Sequence, residues 1–93
     1  MSIAVVLPRA LYPYARGSST LTIDDQIASV GDALAIVGQR WPAVLDRVMT
    51  ERGEVREHVN IFVGEDSIRF SDGLSTPVED GDTIMIVAAV SGG

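Results

Sequence analysis

The chain has 93 residues, of which 46% are hydrophobic, and its formal net charge is −6 at pH 7. This length and composition predict one folded domain with a single core and argue against disorder. The acidic charge argues against binding to nucleic-acid phosphates, and no apolar run approaches the roughly 18 residues of a membrane span. The absence of cysteine excludes disulfides, thiolate metal sites and sulfur carried on a side-chain thiol. The first residues lack the charged region of a secretory signal, so a cytoplasmic protein is expected.

The first quarter of the chain predicts two strands. Residues 2–7 (SIAVVL) are rich in β-branched side chains, and Pro8 closes this run. Residues 9–16 contain Pro13 and predict a loop. Residues 20–23 (TLTI) alternate polar and apolar side chains, which is typical of a half-buried strand. Two short consecutive strands joined in this way predict an antiparallel hairpin.

A helical region is predicted next. Ser29 is a favourable N-cap, and Asp32 three residues later resembles a capping box. An apolar stripe at helical spacing follows, made by Val30, Leu34, Val37 and Trp41. Pro42 predicts that the helix ends near Trp41, because the residue before a proline avoids helical geometry. Residues 44–49 predict a further short helical piece, and the charged residues 50–57 predict a solvated loop.

The second half of the chain predicts three more strands. Residues 58–63 (HVNIFV) form the strongest strand pattern, and residues 64–66 predict a turn into a short strand at 68–70, which gives a second hairpin. Residues 80–82 (DGD) predict a turn into the final strand at 83–88. The acidic pairs lack the spacing of a calcium loop, and His58 has no partner of metal-ligand type, so we expect no metal site.

The predicted sheet has one face covered by the main helix and one face open. The side chains expected to face the helix are those of Ile3, Val5, Leu7, Val59, Ile61, Val63, Ile84 and Ile86. The open face would carry Val6, Phe62, Met85 and Val87. If these four residues are contiguous, they predict a contact site for a partner, whereas scattered apolar residues need no explanation.

The chain ends in Ala89-Val90-Ser91-Gly92-Gly93. Glycines without a Cβ can pass through a channel too narrow for other residues, so this end is suited to offering its terminal carboxylate to another protein. The alternative is an ordinary frayed terminus. No catalytic constellation is visible elsewhere, so the chain is not expected to be an enzyme in its own right.

Residues 58–93 resemble the sulfur-carrier proteins of the MoaD/ThiS group, and most of all the carriers of thiocarboxylate-dependent cysteine synthesis. The matching features are VNIFV at 59–63, IRF at 68–70, Leu74 with Thr76, DGD at 80–82 and the closing AVSGG. The order of the elements resembles the β-grasp fold of ubiquitin. The resemblance implies an α+β domain over residues 1–89 and a flexible tail at 90–93. The domain would have a mixed sheet of about five strands, two hairpins plus the final strand, with one main helix on one face.

The resemblance also implies a mechanism. A ubiquitin-activating-type enzyme would use ATP to adenylate the Gly93 carboxylate, and sulfur from a persulfide would displace AMP to leave a thiocarboxylate at Gly93. No cofactor would be bound stably. The residues implied to thread into the partner's site are Gly92, Ser91 and Val90. The residues implied to bind the activating enzyme and a downstream sulfur-accepting enzyme are Val6, Phe62, Arg69, Met85 and Val87.

Three classes of function stay open at this point. The first is a sulfur carrier, for which cysteine synthesis is favoured over molybdopterin as the pathway, with thiolated nucleosides and natural products also open. The second is a ubiquitin-like modifier that joins Gly93 to lysines of target proteins by isopeptide bonds. The third is a non-covalent subunit that uses only its sheet face. All seven basic residues are arginines, so the chain cannot build lysine-linked chains on itself.

Overall fold

Residues 1–88, which are the residues that the computed structural model describes, form a five-stranded sheet with two α-helices on one face. The elements are β1 (Ile3–Val6), β2 (Thr20–Ile23), α1 (Val30–Arg40), α2 (Pro42–Val48), β3 (Val59–Val63), β4 (Asp66–Ser67) and β5 (Thr83–Ala88). The strand order is β2-β1-β5-β3-β4. The β1–β5 pair is parallel and the other neighbours are antiparallel, so the predicted mixed sheet with two hairpins is confirmed. No helix within these residues is long and apolar enough to cross a membrane.

The core lies between the sheet and the two helices. In β5 the buried Ile84 and Ile86 alternate with Met85 and Val87, which are 41% and 39% exposed. This period of two is what strand geometry requires when only one face is covered. The predicted helix-facing residues are buried, except Val63, which is half-buried. The helices contribute Val30, Ala33, Leu34, Val37, Val44 and Val48 to the same core.

The start of α1 is fixed by a reciprocal cap. The Ser29 hydroxyl oxygen accepts a hydrogen bond from the Asp32 N–H at 3.2 Å, and an Asp32 carboxylate oxygen accepts one from the Ala28 N–H at 2.9 Å. Both bonds satisfy N–H groups at the start of the helix. At the other end, Trp41 is half-buried against the core, and Pro42 is the first residue of α2. The predicted helix, its cap and the following short helix are confirmed.

Replacement of Ser29 by alanine is expected to lower the free energy of unfolding by about 1 kcal/mol, because the Asp32 N–H loses its acceptor. Urea denaturation followed by circular dichroism measures the change. Ser29→Thr is the matched control, since it keeps the hydroxyl, and it is expected to retain most of the stability. Equal stability of the alanine and wild-type proteins would show that the cap contributes nothing.

The structure corrects the prediction of a loop at residues 9–16. Arg9–Ala15 form a 3₁₀ helix, in which the Leu11 N–H donates to the Pro8 carbonyl oxygen at 2.9 Å. Leu11 and Ala15 are buried in the core, so the helix packs against it. Proline fixes φ near −65°, a value that a 3₁₀ helix also requires, so Pro13 does not break this turn. Arg16 ends the helix at a φ of 57°.

The structure also corrects the prediction of a short strand at residues 68–70. The strand that pairs with β3 is β4, only two residues long, and Ile68–Phe70 form a 3₁₀ helix after it. The Ser67 hydroxyl oxygen accepts from the Arg69 N–H at 3.3 Å, and the Ser71 N–H donates to the Ile68 carbonyl oxygen at 3.1 Å. The hairpin is therefore confirmed, but a local serine cap turns the chain earlier than the apolar-polar-apolar pattern indicates.

Candidate functional site

The four apolar residues predicted on the open face are contiguous. Val6 lies opposite Met85 on the neighbouring strand, and Phe62 lies opposite Met85 on the other side. Neighbouring strands are about 4.8 Å apart, so these three side chains form a row across the middle of the sheet. Val87 extends the row along β5 towards the end of that strand. We refer to Val6, Phe62, Met85 and Val87 as the open-face patch.

The open face is uncharged throughout its strands. The polar residues that flank the patch on the same face are Thr20, Thr22, Asn60, Ser67 and Thr83. Charged residues make up 22% of the chain, so their absence from this face is a local property rather than a general one. An uncharged apolar face loses little solvation energy when a partner covers it.

Half of the patch lies on β5, the strand that leads to the C-terminus. β5 ends at Ala88, which lies opposite Val59 of β3. The tail residues singled out from the sequence, Val90, Ser91, Gly92 and Gly93, lie outside the described residues. Five residues follow Ala88, and an extended chain of that length spans at most about 17 Å. A partner that acts on the Gly93 carboxylate must therefore place its reactive site within that distance of Ala88, close to Val87.

Arg69, the fifth residue predicted to bind a partner, lies outside the open-face patch, in the turn that follows β4. One guanidinium nitrogen of Arg69, Nη2, donates to the carbonyl oxygens of Glu57 and Val59, both at 3.0 Å. β4 pairs with the last two residues of β3, so within residues 1–88 no strand pairs with the start of β3 on that side. If β4 were longer, its backbone could bond the Val59 carbonyl oxygen. The Arg69 guanidinium supplies this hydrogen bond instead and covers the edge of the sheet.

Replacement of Arg69 by methionine is expected to lower the free energy of unfolding by about 1 kcal/mol, because two hydrogen bonds from a charged donor are lost at a partly exposed position. Chemical denaturation measures this change in the free energy of unfolding. Arg52→Met is the matched control, because the Arg52 side chain makes no hydrogen bond or ion pair with residues 1–88. An equal effect of the two substitutions would mean that the contacts of Arg69 do not stabilise the sheet edge.

Sequence reasoning missed two features beside Arg69. Phe70 is 92% exposed, whereas a strand would have put its side chain on the same face as the buried Ile68. The second feature is a cavity of about 140 Å³ that Arg69 helps to line, which we call the edge cavity. Its walls include Val55, Val59, Ile61, Ile68, Leu74 and Arg69. The serines on either side of Ile68–Phe70 were the available signal, because serine favours caps and turns over strand interiors.

The acidic residues at 80–82 form a turn, as predicted. An Asp80 carboxylate oxygen accepts from the Ser2 N–H at 2.7 Å, and an Asp82 carboxylate oxygen accepts from the Glu79 N–H at 2.7 Å. The first contact joins the turn before β5 to the residue before β1, and the second closes the turn itself. Within residues 1–88 no group of three or more histidine, aspartate or glutamate side chains is placed to hold a metal ion.

Comparisons with known proteins agree with this architecture. The model of the ThiS family matches residues 5–93. Sulfur carrier protein CysO of Mycobacterium tuberculosis is 30% identical over 95 residues, with 100% of both chains covered. A chain in the crystal structure of the Amycolatopsis orientalis BexX/CysO complex superposes with a TM-score of 0.84 at 30% identity, covering 98% of this chain and 99% of that one. SAMP1 from Haloferax volcanii superposes with a TM-score of 0.83 at 32% identity, with 100% of each chain covered.

These matches confirm the β-grasp fold and the resemblance to the MoaD/ThiS group. They extend over the N-terminal half of the chain, where the sequence offered only the order of the elements. The family match covers both the open-face patch and the diglycine end. With a family model over almost the whole chain and a relative matched at full length, the protein belongs to the ThiS family.

Proposed function

We propose that the protein is a cytoplasmic sulfur carrier, a protein cosubstrate rather than an enzyme, with the C-terminal carboxyl group of Gly93 as its reactive centre. The full-length similarity to the sulfur carrier CysO supports this proposal. The structural observation that carries it is the uncharged open-face patch beside Ala88, from which the chain continues to the diglycine. A partner that docks on this patch is in reach of the chain end.

The chemistry follows from the poor reactivity of a carboxylate. A Gly93 carboxylate oxygen attacks the α-phosphorus of ATP on an activating enzyme, which releases pyrophosphate and leaves an acyl adenylate. The outer sulfur of a persulfide then attacks the carbonyl carbon, and AMP leaves. Attack by a thiol on the resulting acyl disulfide forms a new disulfide and releases the Gly93 thiocarboxylate. This anion is nucleophilic without any cysteine in the carrier.

The diglycine suits this route because the reacting carbon must enter a closed site. Gly92 and Gly93 have no Cβ, so they fit a channel that other residues would block. Val90 and Ser91 would connect this channel to the folded domain. A downstream enzyme would bind the same end and accept the sulfur. We favour cysteine synthesis for that step and place molybdopterin synthesis second.

Reconstitution tests the proposal. The protein is incubated with a family activating enzyme, ATP and a persulfide source, and its intact mass is measured. The expected product is heavier by the difference between one sulfur and one oxygen atom, and only when ATP is present. An unchanged mass with an activating enzyme that sulfurates its own carrier in the same assay would contradict the proposal.

A second candidate is a ubiquitin-like modifier. The 32% identity to SAMP1 from Haloferax volcanii, a small archaeal modifier protein, supports it. In this case the Gly93 acyl adenylate is attacked by a target lysine amine instead of by sulfur. Proteolysis of proteins from the native cells would then yield peptides with a branch ending in Gly93 on lysine. The carrier role predicts a modified mass of the free protein and no such branches.

A further inference from the structure

We propose that the outer edge of β2 binds an extended segment of a partner protein as an added strand of the sheet. The segment lies antiparallel to β2 and consists of β-branched residues preceded by one lysine or arginine. The inference does not rest on the sulfur chemistry, because it concerns only the described part of the chain and holds equally for a carrier and for a modifier.

The outer edge of β2 carries a row of backbone groups without a partner strand. The Leu7 N–H donates to the Ser19 carbonyl oxygen at 2.9 Å, and the register of β1 and β2 continues from this pair without a bulge. In an antiparallel ladder every second residue bonds across to the neighbouring strand, so Leu21 also bonds to β1. The N–H and carbonyl groups of Thr20 and Thr22 point the other way. No strand within residues 1–88 lies on that side, because β2 is the last strand of the sheet.

The two edges of the sheet differ in how they are protected. At the other edge, β4 is only two residues long, and the Arg69 guanidinium donates to the Val59 carbonyl oxygen at the start of β3. Proteins commonly use charged side chains, prolines and bulges to keep an edge strand from pairing with another chain. β2 contains none of these, since its four residues are TLTI and their register with β1 is continuous. The β2 edge is therefore open to strand addition.

The side chains along this edge indicate which residues suit it. Thr20 and Thr22 are exposed and lie on the open face, where Thr20 is opposite Val6 of the open-face patch. Threonine pairs favourably with threonine and with other β-branched residues on a neighbouring strand. β-branched residues also favour the extended backbone that the edge requires. An added strand of this composition would continue the uncharged open face.

Charge identifies one end of the segment. Asp24 directly follows β2, is exposed and forms no ion pair with any residue from 1 to 88, whereas Asp25 is paired with Arg40 at 2.8 Å. In an antiparallel pair the first residue of the added segment lies beside the last residue of β2. A basic residue before the β-branched run is therefore placed against Asp24. A second copy of this chain is disfavoured as the occupant, because its β2 directly follows Ser18 and Ser19 and its net charge is −6.

Amide exchange measured by nuclear magnetic resonance on the ¹⁵N-labelled full chain tests the proposal. The probe is a short peptide with one arginine followed by alternating threonine and valine residues, and the matched peptide carries the arginine at its other end. In the free protein the Thr20 and Thr22 amides are expected to exchange quickly with solvent. We expect the first peptide to slow both about tenfold, because each gains an acceptor. The matched peptide is expected to bind about threefold more weakly, the effect of moving one exposed charge.

A proline variant separates the backbone edge from the side chains. Thr22→Pro removes an outward N–H without removing a hydrogen bond to β1, and proline is tolerated where the N–H of an edge strand faces solvent. It is expected to keep the wild-type unfolding temperature and to weaken peptide binding about tenfold, because a peptide carbonyl oxygen loses its donor. Thr22→Val is the control, since it keeps the N–H, and it is expected to bind as the wild-type protein does.

Three results would overturn the proposal. They are unchanged exchange at Thr20 and Thr22 with millimolar peptide, slowing confined to other amides of the sheet, or equal binding by the Thr22→Pro and wild-type proteins. The first two are measured on the wild-type chain, so they decide the case even where Thr22→Pro fails to fold. Tighter binding of the matched peptide would overturn the antiparallel orientation. Slowing that depends on protein concentration without peptide would assign the edge to a second copy instead.

Discussion

Removal of Gly92 and Gly93 is expected to reduce ATP-dependent sulfuration of the protein below detection and to leave its thermal unfolding temperature unchanged. The reaction is lost because the new C-terminal residue, Ser91, carries a Cβ and its carboxylate lies two residues nearer to the folded domain. The fold is expected to be kept because both glycines lie well beyond Ile86, the last core residue within residues 1–88. Intact-mass measurement after reconstitution gives the first quantity and calorimetry gives the second.

Ser91→Ala is the matched control for this deletion. It changes the tail next to the diglycine but keeps the chain length and both glycines, so sulfuration is expected at the wild-type level. A deletion variant that is still sulfurated would show that Gly93 is not the reacting residue. A clear fall in its unfolding temperature would show instead that the last two residues stabilise the domain.

Replacement of Met85 by aspartate is expected to lower kcat/KM with the activating enzyme about 100-fold, since a buried and unpaired charge in an interface costs about 2–5 kcal/mol. Met85 lies at the centre of the open-face patch, between Val6 and Phe62. Its side chain is 41% exposed in the free protein, so stability is expected to fall by no more than about 1 kcal/mol. Steady-state kinetics and urea denaturation measure the two effects.

Thr83→Asp is the control for this substitution. Thr83 lies on the same strand and the same face, but it is at the start of β5, away from Ala88. The intrinsic effect of aspartate on the strand is therefore similar, whereas a charge at the rim of an interface costs little. Equal kinetic effects of the two substitutions would mean that the patch does not contact the activating enzyme. A large loss of stability for Met85→Asp alone would identify Met85 as a folding residue.

The sequence predicted the open-face patch because strand periodicity leaves few choices. In β5 the alternation of Ile84 and Ile86 with Met85 and Val87 settles which side chains face the helices. One buried face also fixes the register, because a slip of one residue would expose the whole core set. Ser29 and Asp32 likewise predict where α1 begins. The first N–H groups of a helix need acceptors close by in the chain, and these two side chains supply them.

The features that the sequence did not predict depend on short turns. In the 3₁₀ helix Arg9–Ala15, burial of Leu11 and Ala15 outweighs the loop character that Pro13 indicates. Around Arg69, the decisive contacts join residues ten and twelve positions apart, to the Val59 and Glu57 carbonyl oxygens. Local patterns contain no information about such contacts, so the sequence predicts a strand at residues 68–70. For the same reason, the sequence predicts neither the exposure of Phe70 nor the edge cavity.

The mass of the protein isolated from its native cells tests the central proposal most directly. Purification under mild conditions, without strong nucleophiles, preserves a thiocarboxylate for intact-mass measurement and for fragmentation of the C-terminal peptide. We predict a population in which one oxygen is replaced by sulfur and in which fragmentation assigns the change to Gly93. A population that carries an unmodified Gly93 carboxylate throughout, under conditions in which the sulfur pathway is active, would contradict the proposal.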